Sequence, residues 1–93
     1  MGKQVDVCSM YVNGKVIYFY RIVSDRKVEA SYKISRDEYT IINEIIRSRG
    51  YKKHYTKFLG LPSYCFTYYN VDEETINVIT KKYGKLIPKP GDG

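Results

Sequence analysis

Tryptophan is missing from this chain of 93 residues; alanine, glutamine and histidine occur once each, and leucine three times. No apolar run approaches the roughly 20 residues that cross a bilayer, so no membrane partner is expected. The opening MGKQVD lacks the apolar stretch of a secretory signal, and position 6 is Asp6 where a myristoylation signal needs Ser or Thr. The expected location is therefore cytoplasmic. No glycine-rich phosphate loop, no His/Glu metal helix and no acidic metal cluster appears. Two isolated cysteines, Cys8 and Cys65, and the single His54 are too few for a metal site, and no cofactor is expected. Cys8 and Cys65 each fall inside a predicted strand, as small buried hydrophobes or as a disulfide.

Basic residues are plentiful. Sixteen Lys and Arg against ten Asp and Glu give a formal charge of +6, which raises nucleic acid or an acidic protein surface as a partner. Eleven tyrosines and ten isoleucines dominate the apolar set. The length suits one domain with one modest core, and the expected bounds are 1–87, with 88–93 as a flexible tail.

The organising stretch is Val5 to Val23, VDVCSMYVNGKVIYFYRIV. Asn13-Gly14 between two β-rich runs predicts a hairpin with a two-residue turn. That turn sets Val12 opposite Lys15, Met10 opposite Ile17, Cys8 opposite Phe19 and Asp6 opposite Arg21. The last pair brings opposite charges together. Alternation then separates two faces. One carries Asp6, Cys8, Met10, Val12, Ile17, Phe19, Arg21 and Val23. The other carries Val5, Val7, Tyr11, Val16, Tyr18, Tyr20 and Ile22. A tight turn at Asp25-Arg26 predicts a third strand, pairing Val23 with Val28, Phe19 with Tyr32 and Ile17 with Ile34. In that register Val28, Ala30, Tyr32 and Ile34 join the Cys8 face, which becomes the expected core, with Arg21 near its rim.

Ser35-Arg36-Asp37-Glu38 is a capping box. It opens a helix over about 36–49 whose stripe holds Tyr39, Ile42, Ile45, Ile46 and the stem of Arg49, stopped by Gly50. Residues 51–62 show no clean period. SYCFTYYNV, Ser63 to Val71, reads as a fourth strand, placed beside the first. Asp72-Glu73-Glu74 starts a second helix with Ile76, Ile79 and Tyr83 on its stripe, ended by Gly84. Leu86-Ile87 suits a short last strand. The order β-β-β-α-β-α predicts the α+β class: a mostly antiparallel sheet of four or five strands with two helices on one face.

Two segments offer functional surfaces. Arg47 to Lys57, RSRGYKKHYTK, interleaves cations with aromatics and contains no acid. Arg47, Arg49, Lys52, Lys53 and Lys57 suit phosphates, and Tyr51 and Tyr55, with His54, suit unpaired bases. A helix end and a solvated loop would give the same composition. The Val7 face supplies the second surface. Val7, Tyr11, Val16, Tyr18, Tyr20 and Ile22 predict an interface for a second copy or another protein, since a patch of that size is seldom left bare. Cover by residues 51–62 or by the second helix, and a base-stacking platform completed by Tyr64 or Tyr69, are the alternatives. Catalysis is writable as a metal-independent nuclease using His54, or as a Cys65–His54 nucleophilic pair, but neither has an orienting carboxylate nearby, and no enzyme is expected.

The short, Ile/Tyr/Lys-rich chain, with runs such as SMYVNGKVIYFYRIV and SYCFTYYNV, resembles the small orphan proteins of viruses infecting thermophilic archaea. That resemblance implies a host-cytoplasm location and a role as a nucleic-acid binder, a transcription regulator or an inhibitor that binds a host protein. The expected function is a non-enzymatic interaction protein, homodimeric through the tyrosine-bearing face, with nucleic-acid binding by 47–57 as the alternative.

Overall fold

A computed structural model describes residues 2–57 and 63–88. The order is β1 (Lys3–Val12), β2 (Lys15–Ser24), β3 (Lys27–Ile34), α1 (Arg36–Ser48), β4 (His54–Lys57), β5 (Ser63–Val71), α2 (Glu73–Lys82) and β6 (Lys85–Ile87). All strands pair antiparallel in one sheet of six, ordered β4-β5-β1-β2-β3-β6. The class is α+β as expected, with more strands than the expected four or five. The expected tail falls largely at 89–93, outside the described residues.

The β1–β2 hairpin has the predicted register, from Val12 opposite Lys15 to Asp6 opposite Arg21. Asn13 and Gly14 both take positive φ, 48° and 80°, the two left-handed positions that such a turn demands. The next turn repeats the geometry with less suitable residues: Asp25 and Arg26 sit at φ 50° and 63°.

The third strand corrects the predicted core. Val28 pairs with Val23 as expected, but Ala30 then pairs with Ile22. One step along β2 thus spans two along β3, and Glu29 is the extra residue of a β-bulge. Beyond it the phase is inverted. Tyr32 lies opposite Tyr20 rather than Phe19, and Ile34 opposite Tyr18 rather than Ile17. Ala30, Tyr32 and Ile34 therefore join the Val7 face. The two helices pack there, and Val5, Val7, Tyr20, Ile22, Ile34, Ile42, Ile46, Tyr68, Val71, Ile76 and Ile79 form the core. A second bulge between Tyr68 and Val71 keeps both of those residues on the helix side of β5.

The helices form for the predicted reasons. Ser35 Oγ accepts from Glu38 N at 3.1 Å, and the Glu38 carboxylate accepts from Ser35 N at 2.9 Å. Ile42 and Ile46 are fully buried, and so is most of Asn43 between them. Asn43 is tolerated because both ends of its amide are satisfied: Nδ2 donates to Tyr39 O at 3.0 Å, and Oδ1 accepts from the Tyr68 hydroxyl at 2.5 Å. Burial pushes the Tyr68 hydroxyl up to about 12, against a smaller opposing pull from Arg47. After α2, Gly84 sits at φ 87°, and a Cβ there would come within 2.9 Å of both the Tyr20 ring and Tyr32 Cβ. Only glycine lets the chain turn this close to β3 and lay down β6. The Tyr20 hydroxyl seals the turn by donating to Tyr83 O at 2.7 Å.

The Cys8 face lies on the far side of the sheet from both helices. Cys8 and Cys65 stand opposite each other on β1 and β5 and are joined by a disulfide. Beside them Asp6, only 2% exposed, accepts from Arg21 Nε at 2.7 Å and, through its other oxygen, from Thr67 Oγ1 and Gln4 Nε2, both at 2.9 Å. No helix among the described residues is long and apolar enough to cross a membrane.

Candidate nucleic-acid interface

The basic-aromatic segment begins where α1 ends. Arg49 Nη1 donates to Thr75 Oγ1 at 3.4 Å. The Tyr51 hydroxyl donates to the Asp72 carboxylate at 2.6 Å and accepts from Asp72 N at 2.9 Å. Hydrogen bonds from Thr75 and Tyr51 hold the Asp72 carboxyl below its usual value. Arg49 and Tyr51, both expected to meet nucleic acid, thus tie the exit of α1 to the start of α2. They are anchors rather than free contacts.

The chain then runs out as β4, an edge strand whose four residues are all exposed. Residues 51–62 had shown no period, because a strand of four needs only one pair of side chains on each face. The pairing with β5 is His54 with Thr67, Tyr55 with Phe66, Thr56 with Cys65 and Lys57 with Tyr64. His54 and Thr56 point to the Cys8 face, and Tyr55 and Lys57 to the helix side.

That alternation divides the predicted residues. His54 packs edge-on against Tyr69, with ring centroids 5.1 Å apart, on the far side of the sheet from Tyr55. It does not share a surface with the lysines, and Cys65, bound in the disulfide, has no thiol for a His54-activated nucleophile. No group of three His, Cys, Asp or Glu side chains suited to a metal occurs among the described residues.

On the helix side the rings gather. Tyr55 lies 5.8 Å from Tyr64 and 5.9 Å from Phe66, centroid to centroid. Phe66 leads to Tyr39 at 6.2 Å, and Tyr39 to Tyr18 at 4.9 Å. Tyr39 and Tyr18 are half-buried against the core, so they back the outer rings. Burial first, then its neighbours Tyr18 and Tyr55, raises the Tyr39 hydroxyl, which stays neutral. Tyr55 is 61% exposed and Tyr64 39%. Lys53 Nζ sits 4.3 Å from the Phe66 centroid, and Lys57 Nζ 5.5 Å from that of Tyr64. Lys52 and Lys53 continue into an open groove shared with Glu44, Arg47, Ser48 and Tyr51.

No family model, no curated protein and no solved structure matches this chain. Its surface has to be read on its own chemistry.

Of the predicted segment, Lys53, Tyr55 and Lys57 gather with the rings, and Arg47, Tyr51, Lys52 and Lys53 line the groove beside Glu44, while Arg49 and His54 join neither. The sequence suggests Tyr64 only as part of the Val7 face and does not single out Phe66. Their signal was the alternation of SYCFTYYNV, which puts Tyr64 and Phe66 on one side once β4 is known to lie beside β5. The predicted interface is corrected as well. Val7 and Tyr20 are fully buried under the helices and Ile22 nearly so, and Tyr18 packs against the same core. Only Tyr11 and Val16, 57% and 51% exposed at the hairpin tip, stay open. The cover once assigned to a second chain comes from this chain's own helices.

Proposed function

We propose that this chain binds nucleic acid along the β4 edge, by charge and ring contact rather than by catalysis. The observation that carries this is the placement of Tyr55 and Lys57 on one side of an edge strand, with Lys53 just before it, against Tyr64 and Phe66. Ammonium groups beside exposed rings are what a polyanion with π-faces requires. The formal charge of +6 adds long-range attraction. Nucleic-acid binders are also among the roles implied by the resemblance to archaeal-virus proteins.

Fluorescence anisotropy with a labelled oligonucleotide across a salt series tests this reading. Binding should fall steeply with salt, and Lys53→Gln and Lys57→Gln should each flatten the logarithmic slope by about 0.7 to 0.9. Absence of binding at low salt removes the proposal.

A second copy seated on the Cys8 face is the other reading, supported by the exposure of Val12, Ile17, Val28 and Ile87 there. Asp6, Cys8, Cys65 and Thr67 on the same face are already buried, so a second copy would seat on the exposed residues around them and not on the whole sheet. Light scattering on the purified protein decides it: a dimer keeps this reading and a monomer ends it.

A further inference from the structure

We infer that the nucleic acid is unpaired, with its bases laid on Tyr55 and Tyr64 and its phosphates on Lys53 and Lys57. This inference rests on the function proposed above and specifies its ligand.

Ring geometry argues for it first. Tyr55 and Tyr64 stand on neighbouring strands with centroids 5.8 Å apart and planes 31° from one another. The planes are tilted rather than parallel, and with Tyr55 61% and Tyr64 39% exposed both rings keep surface open to solvent. Phe66 lies 5.9 Å behind Tyr55, and Tyr39 lies beyond it. A tyrosine with a packed back and an open front costs little further ordering when a base settles on it.

The second argument is where the cations already sit. Lys57 Nζ is over the Tyr64 ring at 5.5 Å, and Lys53 Nζ over Phe66 at 4.3 Å. Without a ligand, these ammonium groups occupy the electron-rich ring faces. An arriving base replaces Lys57 on Tyr64, and the displaced ammonium meets the adjoining phosphate. Ring and cation both exchange one partner for a better one, so stacking and charge neutralisation occur together.

A duplex does not fit this arrangement. Its base faces are covered by neighbouring pairs, and it would meet only the lysines. Reading a groove needs a helix or ribbon with a basic face. Neither helix supplies one along its length: the exposed side of α1 mixes Arg36 and Arg47 with Asp37 and Glu44, and α2 opens with Glu73 and Glu74 and is basic only in its last turn, at Lys81 and Lys82. The β4 edge is short, so the footprint is at the small end for single-strand modules, about four nucleotides.

The test compares one labelled pyrimidine strand with the same strand annealed to its complement, by anisotropy at low salt. The single strand should bind at least tenfold more tightly. Tyr55→Leu should weaken single-strand binding by roughly tenfold, and Tyr55→Phe should leave it nearly unchanged, because the ring and not the hydroxyl stacks. Tyr55 is largely exposed, so both variants should melt like the parent, which a thermal scan verifies. If single strand and duplex bind equally and Tyr55→Leu changes nothing while Lys57→Gln still weakens both, the unpaired-strand inference is overturned and nucleic-acid binding stands. If neither polymer binds, both fall.

Discussion

Asp6 and Arg21 face each other across β1 and β2, with Arg21 Nε 2.7 Å from Asp6 Oδ2. The carboxylate is 2% exposed, while the arginine keeps 24% of its side chain in solvent. The pair therefore holds a buried negative charge from a partly wet position. Removing the arginine leaves that charge with Thr67 and Gln4 as its donors among the described residues. Arg21→Met is expected to cost about 2 to 3 kcal/mol. Adding Asp6→Asn should recover part of the loss, because the uncompensated charge is then gone. Urea unfolding of the single and double variants measures this, and simple additivity would count against it.

Glu29 is the residue on which the core face depends. Deleting it would join Val28 directly to Ala30 and return Ala30, Tyr32 and Ile34 to the far side of the sheet. The expected outcome is loss of a cooperative unfolding transition. Glu29→Gln keeps the bulge and gives up only the exposed contact with Lys3 at 3.0 Å, so it should cost less than about 1 kcal/mol. Circular dichroism during denaturant titration separates the two outcomes.

That bulge also marks where the sequence stops being readable. The first hairpin, the Asp6–Arg21 pair, the capping box at Ser35 and the stop at Gly50 all rest on local chemistry or strict alternation. They were legible for that reason, whereas the place of β5 beside β1 follows only from the crossing helix carrying the chain over the sheet. Nothing in VEASYKI announces that Glu29 lies outside the ladder, and one unpaired residue inverts the faces of everything after it. The core was therefore assigned to the wrong side, and Tyr20 to an interface. The site was half legible. Its cations could be counted in the sequence, but their division between faces required β4, a strand too short to show a period. Arg49 and Tyr51 were misread because Asp72 and Thr75, their partners, are more than 20 residues away.

The disulfide closes a loop of 57 residues between strands that are already neighbours. Loop-closure entropy gives it a stabilisation of about 4 kcal/mol. Cys8→Ser with Cys65→Ser should lower the denaturant midpoint accordingly while leaving the native circular dichroism unchanged. Because both sulfurs are buried, a thiol reductant should attack the parent protein slowly until denaturant opens the sheet. Fast reduction under native conditions would contradict the packing described.

Alkaline pH should loosen the core through Tyr68. Its hydroxyl ionises at about 12 in the fold against an ordinary value of 10.0. A raised value means that folding disfavours tyrosinate. The stabilisation is full below pH 10.0 and is lost as pH rises toward about 12, a loss on the order of 2 kcal/mol. Tyr68→Phe should be less stable by about 1 kcal/mol at neutral pH, for want of the hydrogen bond to Asn43, and should lose less above pH 10.0. Unfolding free energies measured across that range check the sign.

The β4 edge is the centre of this account, and an amide NMR titration with a short unlabelled pyrimidine strand tests it most directly. The account predicts that resonances of Lys53, Tyr55, Lys57, Tyr64 and Phe66 move together with added strand, while those of Val23, Val28 and Ser31 on the Cys8 face hold still. Shifts confined to the Cys8 face, or no shifts at low salt, would contradict it.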